Sequence, residues 1–181
     1  MDPKRHIRNL ALIGFMGTGK STVGYMAAHQ LGFAFTDTDR LIEALAGKPV
    51  AEVFARDGEA VFRDLEQQVV ADLARLDRTV IATGGGLGAN PVHLASLKQH
   101  ALVVCLCASA EVIWQRVCHN AHRPLLQVPD PRARIRELLA VREPFYRQAD
   151  VLINTGPRHL RDVVQHVLRE FHRARAPRGR R

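Results

Sequence analysis

Two patterns alternate along the chain. Short blocks of consecutive apolar residues are separated by longer stretches in which apolar positions recur every three or four residues. The blocks Leu10–Ile13, Phe33–Phe35, Thr79–Ala82, Leu102–Leu106 and Val151–Ile153 read as short strands buried on both faces. The stretches Ser21–Leu31, Arg40–Leu45, Val50–Arg56, Glu59–Leu76, Ala110–Val117, Arg132–Arg147 and Leu160–His172 read as helices. In Glu59–Leu76, for example, Phe62, Leu65, Val69 and Leu73 fall on one helical face. His119–Pro131 carries three prolines and reads as a loop. Buried strands alternating with helices predict an α/β protein with a parallel sheet. No internal repeat and no linker between two cores interrupts the pattern. It predicts one domain over residues 1–173 and a basic, disordered tail over 174–181.

Composition narrows this picture. At 181 residues with 46% apolar and 24% charged, the chain has the size and balance of one globular domain. No apolar run approaches the roughly 18 residues that span a bilayer. The start, MDPKRHIRNL, lacks the apolar core of an export signal, so a cytoplasmic protein is expected. Cys105, Cys107 and Cys118 are too few for a disulfide framework and read as reduced thiols. The net charge of +8 raises the question of nucleic acid, but five of those charges are Arg173, Arg175, Arg178, Arg180 and Arg181. Without them the body is only +3, which suits an enzyme for small anions.

The sharpest motif is Gly14-Phe-Met-Gly17-Thr18-Gly19-Lys20-Ser21-Thr22, set between an expected strand and an expected helix. It matches G-x-x-x-x-G-K-[ST], the loop that wraps nucleotide phosphates. Glycines let backbone N–H groups turn inward, and the helix N-terminus adds a positive field. Lys20 would place its charge on the outer phosphates, and the Ser21 hydroxyl is a hard ligand suited to Mg²⁺. Most proteins with this loop hold their metal through an Asp that follows an apolar strand. Here Thr83 and Cys107 follow TVIA and LVVCL instead, and the acids are Asp37 and Asp39, after the short second strand. One could hold hydrated Mg²⁺ while the other reaches an acceptor hydroxyl. The alternative is a plain helix N-cap, since Thr38 or Asp39 precedes a helix.

Taken in order, these motifs resemble the shikimate kinase family from about Asn9 to Phe171. The resemblance rests on GFMGTGKST, TDTD, FRDLE (with Phe62, Arg63 and Glu66), Gly84-Gly85-Gly86, RPLL from Arg123, and VREPFY with Arg142 and Tyr146. It implies a three-layer phosphate-loop kinase fold with a five-stranded parallel sheet in the order 2-3-1-4-5. A mobile lid would span about 118–131 and an acceptor-binding region about 39–76. The implied reaction is transfer of the ATP γ-phosphoryl group to the 3-hydroxyl of shikimate, with Mg²⁺, by a monomer. Asp37 and Ser21 would hold the metal, and Asp39 would orient or deprotonate the attacking hydroxyl. Arg63 and Arg142 would clamp the acceptor carboxylate, and Glu66 would hold Arg63. Phe54, Phe62, Gly85 and Gly86 would line the acceptor site. Lys20 and the lid's Arg123 would meet the transferring phosphoryl group, and Arg116 would stack on adenine. Where the family often carries a basic adenine contact, this chain has Gly156-Pro157.

Two alternatives stay open at this level. A related kinase could act on another hydroxylated acid such as gluconate. A nucleotide-dependent nucleic-acid binder would interleave basic and aromatic residues, yet the tail has no aromatic after Phe171.

Overall fold

The structure is a computed structural model, described over residues 5–119, 124–156 and 158–176. Strands β1 (Asn9–Ile13), β2 (Ala34–Asp37), β3 (Thr79–Ala82), β4 (Ala101–Cys107) and β5 (Val151–Asn154) form one sheet. All four pairings are parallel and the order is β2-β3-β1-β4-β5, as the resemblance implies. The central strands are buried on both faces, and their residues divide by parity. Ala11, Ile13, Ile81, Val103 and Cys105 join the core on one face. Leu10, Leu12, Val80, Leu102, Val104 and Leu106 join the core on the other. A period of two in an all-apolar strand therefore feeds two cores at once.

Helices complete the outer layers. On one face lie α1 (Lys20–Leu31) and α8 (Leu160–Arg175), contributing Val23, Ala27, Val164, Val167 and Phe171. On the other lie α2 (Thr38–Ala46), α4 (Gly58–Leu73), α5 (Pro91–His100), α6 (Ala110–Val117) and α7 (Pro131–Tyr146). Between α2 and α4 the chain makes a single turn, α3 (Val50–Glu52), and then a wide π turn over Val53–Asp57. Single-turn 3₁₀ segments occupy Leu87–Ala89 and Pro124–Leu126.

Several elements depart from the sequence pattern. The helix expected over Val50–Arg56 is broken into that short turn and the π segment. The long α4 stops at Leu73 rather than Leu76. Asp37 ends β2, and α2 opens at Thr38 instead of Arg40, because the Asp37 carboxylate accepts from Asp39 N at 3.1 Å and caps the helix. Helix α5 was not expected at all. Its His93, Leu94, Leu97 and His100 are buried, but two histidines among four inward positions blur the apolar period. Helix α8 continues to Arg175, two residues past the boundary drawn at 173, and the Arg175 guanidinium lies 5.3 Å from the Phe171 ring centroid. Residues 177–181 of the tail lie outside the described residues, as does Arg123.

Candidate active site

The phosphate loop joins β1 to α1 at the C-terminal edge of the sheet, where ligands of open parallel sheets bind. Gly14 has φ 134°, and a Cβ there would sit 2.3 Å from the Leu106 carbonyl oxygen. This glycine lets the loop leave β1 pressed against β4. Gly19 caps α1 with no side chain over the helix's open N–H groups, which leaves an anion site. Thr18 Oγ1 and Lys20 Nζ both donate to the Phe15 carbonyl, at 2.8 and 2.9 Å, and tie the loop from within.

Two cavities open at this edge. The smaller, about 320 Å³, is lined by Gly17, Gly19, Lys20, Ser21, Thr22 and Arg116 among others. Gly14 and Thr18 do not line it; they shape the loop. Arg116 donates to Gly17 O at 3.3 Å and to Thr155 Oγ1 and O at 2.9 Å each. It thus bridges the loop to the end of β5. Arg158, beside the Gly156-Pro157 departure, turns away to meet His166 Nδ1 at 2.7 Å.

The larger cavity, about 610 Å³, contains every acceptor residue expected from the sequence. Asp39, Phe54, Phe62, Arg63, Glu66, Gly85, Gly86 and Arg142 all line it. They come from five segments: α2, the π turn, α4, the Gly85-Gly86 turn and α7. The π turn carries Phe54, whose ring centroid is 4.4 Å from that of Phe62 on α4. At the next α4 residue, Arg63 Nη1 donates to Glu66 Oε2 at 2.8 Å, while Arg63 Nη2 donates to Glu59 Oε1 at 2.8 Å. Arg142, on α7, lies 5.5 Å from the Phe15 ring centroid and close to Gly85. Two guanidinium groups therefore face one cavity, a donor arrangement that suits a carboxylate.

Asp37 and Asp39 line both cavities, with Met16, Gly84 and Gly85. Their roles divide by contact. Asp37 Oδ2 accepts from Ser21 Oγ at 2.7 Å, so the two oxygens suited to a hard cation already meet. Asp39 stands against Gly84 where the two cavities meet, and burial pushes its carboxyl up from 3.8 to about 6. The Asp37 carboxylate adds to the rise, and the Lys20 ammonium opposes it. A carboxyl tuned toward neutrality can take a proton from a hydroxyl at working pH.

The sequence reading left out Gly84, although it named the glycines beside it. A Cβ on Gly84 would stand 2.4 Å from Asp39 Oδ1, and Gly84 N donates to Thr38 Oγ1 at 2.8 Å. The triple-glycine run was the available signal. Tyr146 donates from its hydroxyl to the Gly85 carbonyl and ties α7 to that glycine turn. Met16, within the phosphate-loop motif, and Leu125, within RPLL, also line the acceptor cavity, although neither was named for the acceptor.

Known proteins share both the sequence and the fold of this chain. The family profile described as Shikimate kinase matches residues 16–172. This chain belongs to the shikimate kinase family. It is 46% identical over 165 residues to a shikimate kinase of Caldanaerobacter subterraneus subsp. tengcongensis, covering 91% of this chain and 96% of the relative. A shikimate kinase of Thermodesulfovibrio yellowstonii is 41% identical over 92% of this chain and 96% of its own length. Among solved structures, shikimate kinase from Acinetobacter baumannii in complex with shikimate superposes with a TM-score of 0.89 at 37% identity, covering 94% and 96% of the two chains. A gluconokinase from Sinorhizobium meliloti shares only the fold, at 20% identity and a TM-score of 0.61. The shikimate kinase family consists of phosphotransferases with ATP as co-substrate, and the two cavities accommodate that division of substrates.

Proposed function

We propose that this chain transfers the γ-phosphoryl group of ATP to the 3-hydroxyl of shikimate, giving shikimate 3-phosphate and ADP. The observation that carries the reading is the position of Asp39, where the phosphate-loop cavity meets a cavity faced by Arg63 and Arg142. An acceptor whose carboxylate lies on those arginines would turn its ring toward Phe54 and Phe62 and a hydroxyl toward Asp39. Phosphoryl transfer requires mainly alignment and charge stabilisation, and each wall supplies one of these.

Lys20 would offer positive charge to the transferring group, and Asp39 would orient the attacking hydroxyl and take its proton. Ser21 and Asp37 present a hard-oxygen donor set that fits Mg²⁺. When bound there, the ion would neutralise charge on the phosphate oxygens. From the family resemblance, Arg123 would join Lys20 when the lid excludes water, and Arg116 would flank the adenine. Glu66 would hold Arg63 in its clamping orientation.

A coupled assay for ADP release tests the reading. Shikimate should drive turnover, while gluconate and an acceptor-free control should give only slow ATP hydrolysis. Equal turnover with gluconate would overturn the acceptor assignment.

A further inference from the structure

Glu66 is a buried carboxylate at the wall of the acceptor cavity, with 2% of its side chain exposed, on the inward side of α4 with Phe62, Val69 and Val70. A buried charge of this kind needs donors. The hydrogen bond it accepts comes from Arg63 Nη1. That guanidinium also holds Glu59, through Nε at 3.3 Å and Nη2 at 2.8 Å. One cation therefore serves two carboxylates before any acceptor arrives. An acceptor carboxylate would be the third to draw on that guanidinium, which dilutes its charge on Glu66 without releasing it.

On the far side of Glu66 stands His93, in the first turn of α5, buried and absent from the acceptor-cavity wall. Its Nδ1 is sealed from solvent and has no hydrogen-bond partner. Such an atom is rare in a folded protein and asks for a reason. The nearest acidic oxygen is Glu66 Oε2, the oxygen that takes Arg63, at 3.9 Å. That is too long for a hydrogen bond and short enough for a small side-chain rotation to close.

We infer that His93 is a positioning residue for the acceptor clamp: its Nδ1–H joins Arg63 on Glu66 when the substrate carboxylate draws on the guanidinium. The inference rests on the reading of Arg63 as that clamp. His93 touches no substrate. It keeps Glu66 satisfied, so that Arg63 can be shared without leaving a buried carboxylate bare. Its effect falls on acceptor affinity and not on the chemical step.

The test measures acceptor KM, ATP KM and kcat, with shikimate affinity by calorimetry, for His93→Phe, His93→Gln, Glu66→Gln and the His93→Phe/Glu66→Gln pair. His93→Phe removes the donor and keeps a ring; acceptor KM and Kd should rise about tenfold, the loss of one hydrogen bond to a charged group. ATP KM and kcat should stay within about twofold, since neither depends on Glu66. His93→Gln restores a donor and should recover most of the acceptor affinity. In the Glu66→Gln background His93→Phe should have little further effect, because the charge it serves is gone. An unchanged acceptor KM in His93→Phe overturns the inference, as does an equal loss in kcat and ATP affinity. An undiminished effect in the Glu66→Gln background overturns it too. If His93→Phe does not fold, His93→Leu carries the same expectation, with circular dichroism as the check. Arg63→Lys is the control for the underlying reading. If Arg63→Lys leaves acceptor affinity intact, the clamp itself is wrong; if it weakens the acceptor and His93→Phe does not, only the role of His93 falls.

Discussion

Replacing Asp39 with Asn should damage catalysis and strengthen the fold in the same protein. The catalytic loss follows from role. An amide keeps the shape but cannot accept a proton, so kcat should fall by roughly 10²–10⁴. The gain follows from cost. Burial and the neighbouring Asp37 carboxylate raise the Asp39 carboxyl from 3.8 to about 6. For an acid whose folded pKa is raised, the folded state binds more protons than the unfolded state between the two values. Stability is then fullest below the unfolded value and is lost as pH rises through the folded one. Each unit corresponds to about 1.4 kcal/mol, so the ionised carboxylate costs the fold about 3 kcal/mol at neutral pH. Urea unfolding should show Asp39→Asn more stable than the wild type by up to that amount near pH 7.5. Near pH 4 the pH-dependent part of the difference should shrink below about 1 kcal/mol, because the wild-type carboxyl is then protonated in the folded state. A variant that loses activity with no gain in stability, or with the same gain at both pH values, would refute the claim that Asp39 is held against an unfavourable charge environment.

The clamp predicts that Arg63→Lys and Arg142→Lys each raise acceptor KM by roughly 10- to 150-fold with ATP KM unchanged, and that an analogue with the carboxylate reduced to an alcohol is nearly insensitive to both. Lys20→Ala should lower turnover by roughly 10²–10³ without unfolding the protein, measured by ADP release and circular dichroism. Gly84→Ala should lower kcat and leave ATP affinity largely intact, since its Cβ would meet the Asp39 carboxylate and not the phosphate loop; full activity in this variant would show that Asp39 moves freely. His100, whose pKa is lowered by burial and then by Arg8 and Arg5, accepts from Asn9 through Nδ1 at 3.0 Å. Because its folded pKa is depressed, stability should fall as pH drops below about 6.5, and His100→Gln should flatten that slope in urea titrations.

Much of the site was legible because its chemistry is local in sequence. The phosphate loop, the acid pair and the Arg63–Glu66 spacing each lie within one short segment, and the strand pattern alone places their ends along one edge. What stayed hidden depends on contacts between segments. The different surroundings of Asp37 and Asp39 are visible only once Ser21 is seen against Asp37 and Gly84 against Asp39. The cap falls on Asp37 and not on Thr38 or Asp39, which lie inside α2, and Asp37 also lines both cavities. Helix α5 escaped because His93 and His100 face inward where apolar residues mark a helix. Asn90 capping Val92 and His93, with Pro91 after it, was the signal that could have revealed its start. The π turn that places Phe54 has no sequence signature, since it arises from how α3 meets α4.

The central claim is that Asp39 receives one particular hydroxyl of an acceptor anchored by its carboxylate beside the phosphate loop. Position-resolved NMR of the product tests it directly, through coupling of the new phosphorus to the ring protons after incubation with ATP, Mg²⁺ and shikimate. The account predicts a single phosphate ester on the 3-oxygen of shikimate, formed with one ADP per ester. Phosphate on another ring oxygen, a mixture of esters, or inorganic phosphate with unmodified shikimate would contradict it.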